Sequence, residues 1–195
     1  GKQGDLTRAF AQALAELKPV ALLCEGTRLT EPNRTTEAQV HDKCLRQVKD
    51  AVGRLVLADF APRNIERLLA FADIADQWGG LDVLCANAGI KGPTAAIEDM
   101  PLEGWHQCLA VNLDGAMLAA KHAARMMKPA GQGVMIFTSS TSGLYGTPFR
   151  APYVAAKWGV IGLMKTVAME LGPFGIRANA ICPGSVDTSR RESTS

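Results

Sequence analysis

The apolar run Val134-Met135-Ile136-Phe137 constrains the chain more than any other stretch, because its bulky residues pass directly into Thr138-Ser139-Ser140. Such a run reads as a strand of a buried parallel sheet, and it would release its chain at the carboxyl edge, where open α/β sheets place ligands. Val20 to Cys24, Leu55 to Asp59, Leu81 to Cys85 and Ile176 to Ile181 also read as strands. Helical spacing fills much of the rest. Leu6, Phe10, Leu14 and Leu17 form one stripe, a second helix starts near Thr36, and Ile65, Leu68, Ala72 and Ala75 place a third over 62–77, stopped by Gly79-Gly80. Leu102, Trp105, Leu109, Ala116, Ala120 and Met127 follow a stripe over 101–128. Ala151 opens a last helix with Ala156, Val160, Leu163, Val167 and Leu171 facing the core, and Gly172-Pro173 ends it. The chain is therefore expected to be an α/β protein.

On that last helix Tyr153 and Lys157 stand four residues apart, which puts them on one face. An ammonium one turn from a phenol favours the phenolate, so Tyr153 is a candidate general acid/base. The bland alternative is an aromatic on a packing face beside a solvated lysine. Ser140 lies thirteen residues upstream at the expected sheet edge, and Asn112 falls inside the apolar stripe of 101–128. A buried amide must find partners, and bonds to a loosened turn of its own helix are one way to supply them.

Asn87-Ala88-Gly89, Asn112, Ser139-Ser-Thr-Ser-Gly143, Tyr153-Val-Ala-Ala-Lys157 and Pro183-Gly184 occur in one order. With them the sequence resembles the short-chain dehydrogenase/reductase family over nearly its whole length. The resemblance implies a Rossmann-like, doubly wound, mostly parallel sheet with helices on both faces, and one dinucleotide-binding and catalytic domain over residues 1–195. It implies hydride transfer between a nicotinamide cofactor and a secondary alcohol or ketone. Ser140 would hold the substrate oxygen, Tyr153 would exchange the proton, Lys157 would hold the nicotinamide ribose, and Asn112 would support a proton relay.

The same resemblance implies cofactor contacts at Gly1 and Gly4 for the pyrophosphate, Glu25 for the adenosine ribose and Asp59 for the adenine. It adds Asn87, Ala88 and Gly89, then Tyr153 and Lys157, and finally Pro183, Gly184 and Thr188 toward the nicotinamide. The family's loop reads Thr-Gly-x-x-x-Gly-x-Gly. With Arg8-Ala9-Phe10-Ala11 setting the register, Gly1 takes the first glycine position, Asp5 and Thr7 take the other two, and Gly4 serves through a shifted loop. Ala86 replaces one of two asparagines usual before Ala-Gly. Glu25 would repel a 2′-phosphate while Arg28 would attract one, so NAD(H) is slightly preferred over NADP(H).

With 195 residues, 47% of them hydrophobic, the chain can bury one sizeable core. Its net charge of +2 comes from mixed acids and bases without a basic run, which argues against nucleic acid as a partner. No apolar run approaches the ~20 residues of a membrane span, and Gly1-Lys2-Gln3-Gly4-Asp5 lacks a signal-peptide layout, so the expectation is a cytoplasmic protein. The five cysteines have neither disulfide-framework nor metal-ligand spacing, and no metal is expected. The expected partners are a small alcohol or ketone and further copies of the chain, packed through the helices at 101–128 and 151–171.

Family members begin with a strand before the glycine loop and continue past Pro-Gly to a final strand; here both are expected to be absent. The first would lie in mid-sheet, where its absence would leave backbone groups of the neighbouring strands unpaired, so the expectation is either a fragment, incomplete at both ends, or a slot filled by another segment. These departures keep a second reading open, a non-catalytic remnant or interaction module with the same fold.

Overall fold

In the computed structural model, the described residues are 22–24, 37–49, 57–58, 70, 73–75, 77 and 79–185. Strands β1 (Leu22–Cys24), β2 (Leu57–Ala58), β3 (Val83–Ala86), β4 (Gly133–Thr138) and β5 (Ile176–Ile181) form one sheet in the order β2-β1-β3-β4-β5. All four pairings are parallel. The α/β expectation is met. The mid-sheet slot is not left open, because β1 pairs with β2 through Leu22 and Leu23 and with β3 through Leu22 to Cys24. The backbone groups of β1 thereby find partners on both sides, as buried N–H and C=O groups require.

Helix α1 covers Glu37–Lys49. His41 Nε2 lies 2.9 Å from Asp73 Oδ2, tying α1 to the helical residues at 73–75. The single stripe expected over 101–128 is two α-helices, α2 (Leu102–Leu109) and α3 (Gly115–Ala130), joined by a π-helical turn at Ala110–Asp114. Pro129 sits inside the last turn, and α3 runs past Lys128 until Gly131, at φ 67°, closes it in the left-handed conformation. Helix α4 spans Ala151–Leu171, and a short 3₁₀ turn at Gly172–Phe174 ends it where Gly172-Pro173 was expected to.

The core lies where α3 and α4 pack on β3, β4 and β5. Ala116, Ala119, Ala120 and Ala123 give α3 a face of small side chains, which lets it approach the sheet closely. Met135 and Phe137 of β4 and Met127 of α3 are wholly buried. In β5, Ile176 and Ala178 are buried while Arg177 and Asn179 are exposed, so this strand alternates with the period of two of a strand buried on one side. Among the described residues no helix is long and apolar enough to cross a membrane.

Candidate active site

The carboxyl ends of β4 and β5 are stitched together. Ser139 N donates to the Ile181 carbonyl at 2.8 Å, and Thr141 N donates to the Pro183 carbonyl at 3.0 Å. The two bonds bring Ser140 beside the Pro183-Gly184 turn, although 43 positions separate Ser140 from Pro183 in sequence. Ser140 is in extended backbone conformation, half-buried, and its Oγ accepts a hydrogen bond from Ser142 N at 3.1 Å. A 3₁₀ turn, Thr141–Gly143, follows Ser140 and bears on α4. Gly143 permits this contact: a Cβ there would overlap Ser139 Oγ and lie 2.8 Å from the Lys157 carbonyl oxygen. Ser139 Oγ itself donates to that carbonyl at 2.8 Å.

Helix α4 then presents Tyr153, half-buried, and Lys157, only 3% exposed. The solvated-lysine alternative fails, because the ammonium is inside the protein and donates to the Thr138 carbonyl at 2.8 Å. It lies 5.6 Å from the centroid of the Tyr153 ring. Burial pushes the Lys157 pKa down to about 8, with Cys108 a smaller influence in the other direction.

Asn112 is 1% exposed and sits in the π-helical turn. Its Nδ2 donates to the carbonyls of Ile90 at 3.0 Å and Cys108 at 2.9 Å, and lies 3.3 Å from Cys108 Sγ. A side-chain amide that takes a carbonyl one turn back competes with the helix's own ladder, and the local widening follows. The amide thus serves its own loosened turn, as expected, and also anchors the strand-end loop through Ile90. Its Oδ1 is buried without a hydrogen-bond partner among the described residues.

Gly89 completes the arrangement. A Cβ built on it would stand 2.7 Å from Asn112 Oδ1 and 3.4 Å from Lys157 Nζ. Three segments thereby bring an unpartnered acceptor and a buried ammonium against a backbone with no side chain. Ala88 is buried beside it, Asn87 is exposed, Pro183 is half-buried and Gly184 is exposed. The expected contacts at Gly1, Gly4, Glu25, Asp59 and Thr188 lie outside the described residues, as do Asp5 and Thr7.

Sequence reasoning missed three contributors. Ser139 is the tie between loop and helix, and only its doubling with Ser140 marked it. Cys108, one of the five cysteines without metal-ligand spacing, approaches Asn112 with its thiol, which burial pushes above the ordinary thiol range. Arg150 places its guanidinium 4.9 Å from the Tyr153 ring centroid; its position three residues before Tyr153 was the available signal.

Residues 8–195 match the family model described as short chain dehydrogenase. The chain is 42% identical over 127 residues to a D-beta-hydroxybutyrate dehydrogenase of Rhizobium meliloti, covering 65% of this chain and 48% of that protein. It is 40% identical over 155 residues to (+)-borneol dehydrogenase 1 of Salvia officinalis, covering 77% and 59%. Among solved structures, a short chain dehydrogenase from Mycobacterium smegmatis superposes with a TM-score of 0.67 at 27% identity, covering 88% of this chain and 78% of that one. The chain thus spans about half to three fifths of the length of these two curated relatives. From the extent of the family match, and with the parallel sheet and the order of motifs in agreement, this chain belongs to the short chain dehydrogenase family.

Proposed function

We propose that the chain is an NAD(P)-dependent oxidoreductase acting on a secondary alcohol or ketone, with Ser140, Tyr153, Lys157 and Asn112 as its working set. The observation that carries this reading is the buried Lys157 ammonium, 5.6 Å from the Tyr153 ring centroid and close to the same small space as Asn112 Oδ1. Burying a charge is costly unless something uses or compensates it, and among the described residues the Thr138 carbonyl takes only one of the three donors of the ammonium. A ribose hydroxyl or a water molecule has the chemistry to serve both groups, since it can accept from Nζ and donate to Oδ1.

When bound, the nicotinamide group supplies or accepts the hydride. The protein's own residues handle the oxygen and the proton. In carbonyl reduction Ser140 holds the substrate oxygen by its hydroxyl, Tyr153 gives that oxygen a proton, and the Lys157 ammonium stabilises the phenolate left behind. Asn112 Oδ1 and Lys157 hold the hydroxyl or water that returns a proton to Tyr153, and oxidation runs the steps in reverse. The cofactor would lie along Asn87, Ala88, Gly89, Pro183 and Gly184, with Gly1, Gly4, Glu25, Asp59 and Thr188 as its remaining contacts. Glu25 supports NAD(H) over NADP(H).

The reading extends to a single domain over residues 1–195, a cytoplasmic setting, a small-molecule substrate and a homo-oligomer. The assembly would use the helices at 101–128 and 151–171, where Met117, Trp158 and Met169 are exposed apolar side chains. Substituting Tyr153→Phe tests the chemistry: the change in nicotinamide absorbance with a panel of ketones should be lost while circular dichroism is retained. Unchanged turnover removes Tyr153 from its role. A parent chain that neither turns over nor binds NADH or NADPH supports instead the non-catalytic module that Asp5 and Thr7 motivate.

A further inference from the structure

Arg150 is the strongest charge near Tyr153 that the mechanism above leaves idle. It is the residue before the first turn of α4, half-buried, with its guanidinium 4.9 Å from the centre of the Tyr153 ring. Stacking on an aromatic face holds a guanidinium in place rather than leaving it to sample solvent. Its Nη2 donates to the Lys91 carbonyl at 3.2 Å, and its Nε is buried with no hydrogen-bond partner among the described residues. Among the described residues no carboxylate forms an ion pair with it; the pairs seen there are those of His41.

The end of the helix around Arg150 is equally uncompensated. The first turn of α4 carries no acidic residue and no side chain caps it. Helix geometry leaves its first backbone N–H groups without intrahelical partners, and the positive end of the helix dipole adds to the charge of Arg150. The preceding Phe149 adopts φ 63°, a left-handed conformation rare for a bulky residue, and its carbonyl is pinned by Ala95 N at 3.1 Å. A chain held this way delivers Arg150 to the site instead of letting it swing outward. Leu144, Tyr145 and Phe149 are exposed apolar side chains in the same loop, so the positive charge has apolar neighbours along the sequence and no anionic ones.

We propose that Arg150 anchors a carboxylate on the substrate, so that the site takes hydroxy acids and the corresponding oxo acids in preference to neutral alcohols and ketones. The inference rests on the oxidoreductase reading of this site and adds the substrate class to it. A guanidinium beside the phenol is placed to bind an anionic group a few bonds from the carbon that reacts, and its planar fork suits a carboxylate in particular. Arg150 in this role is a specificity residue: it leaves proton transfer to Tyr153 and sets which molecule is brought there.

The test compares short oxo acids, each beside its own primary amide, in the parent, Arg150→Gln and Arg150→Lys, with circular dichroism to establish folding. Binding is followed by calorimetry and turnover by nicotinamide absorbance. The parent should favour acid over amide at least tenfold in both affinity and kcat/KM. Arg150→Gln, which keeps a donor for the Lys91 carbonyl, should erase that preference by weakening the acids at least tenfold more than the amides, and Arg150→Lys should retain part of it. A parent with no acid preference anywhere in the panel, or a preference that survives in Arg150→Gln, overturns the proposal. Arg150-dependent acid binding without any nicotinamide turnover leaves the anion site standing and removes the oxidoreductase reading instead.

Discussion

The Lys157 ammonium donates a 2.8 Å hydrogen bond to the carbonyl of Thr138, the last residue of β4. The strand that carries Ser140 to the sheet edge thus also fixes the charge that faces Tyr153. The Ser139 hydroxyl holds the Lys157 carbonyl at 2.8 Å, so strand end and helix are joined at both the side chain and the backbone of one lysine. A shift of either element moves both candidate catalytic groups together.

The lowered pKa of Lys157 predicts how stability depends on pH. From an ordinary value of 10.5, burial brings it to about 8. Below pH 8 the lysine is charged in both the folded and unfolded states, and the folded form bears the full cost of the buried charge. Between about 8 and 10.5 the folded form loses the proton first, unfolding takes protons up, and stability therefore rises with pH. Lys157→Met removes this contribution. Urea midpoints of parent minus variant should climb across that interval, and a flat difference would show that the ammonium is not buried as described.

Gly89→Ala should destabilise the protein by about 1–3 kcal/mol, because its methyl group would stand 2.7 Å from Asn112 Oδ1. The same substitution in an Asn112→Ala background should cost less, with a coupling of at least ~0.5 kcal/mol in a double-mutant cycle. Strict additivity in chemical denaturation would separate the two residues.

Asn112→Ala leaves the half-buried carbonyl of Ile90 and the buried carbonyl of Cys108 short of a donor. The expected loss is about 1–3 kcal/mol. Amide exchange should accelerate in the residues around Ile90 as well as in the π-helical turn, since the side chain ties the two together. Faster exchange confined to the helix would mean that the bond to Ile90 carries no weight.

Two glycines should respond oppositely to alanine. Gly175 has φ 73°, and an added Cβ would overlap the Gly131 carbonyl oxygen, so Gly175→Ala should lower the melting temperature by the equivalent of about 1–3 kcal/mol. Gly162 lies inside α4 with nothing within 4 Å of a new Cβ, and alanine there should stabilise by roughly 0.5–1 kcal/mol. Thermal unfolding of the two variants beside the parent decides both.

Much of this protein is written in short-range pattern. Val134 to Phe137 declares a strand because local apolar runs need little context, and Tyr153 and Lys157 share a helix face because 3.6 residues make a turn. The parallel sheet and the start of α4 at Ala151 follow from such patterns, and the candidate set of Ser140, Asn112, Tyr153 and Lys157 from the family resemblance that the order of the motifs carries. The tertiary structure decided what those residues touch. The break in the long helix at Ala110–Asp114 accompanies an Asn112 amide that reaches Ile90, twenty-two residues earlier. The burial of Lys157 depends on a carbonyl of β4, and the filled mid-sheet slot depends on which strands can pair. Arg150 reads as a loop residue until the fold lays it over Tyr153. Periodicity records which face of an element is apolar, whereas a buried polar group takes its partner from whatever carbonyl or ring the packing of distant segments brings within about 3 to 5 Å.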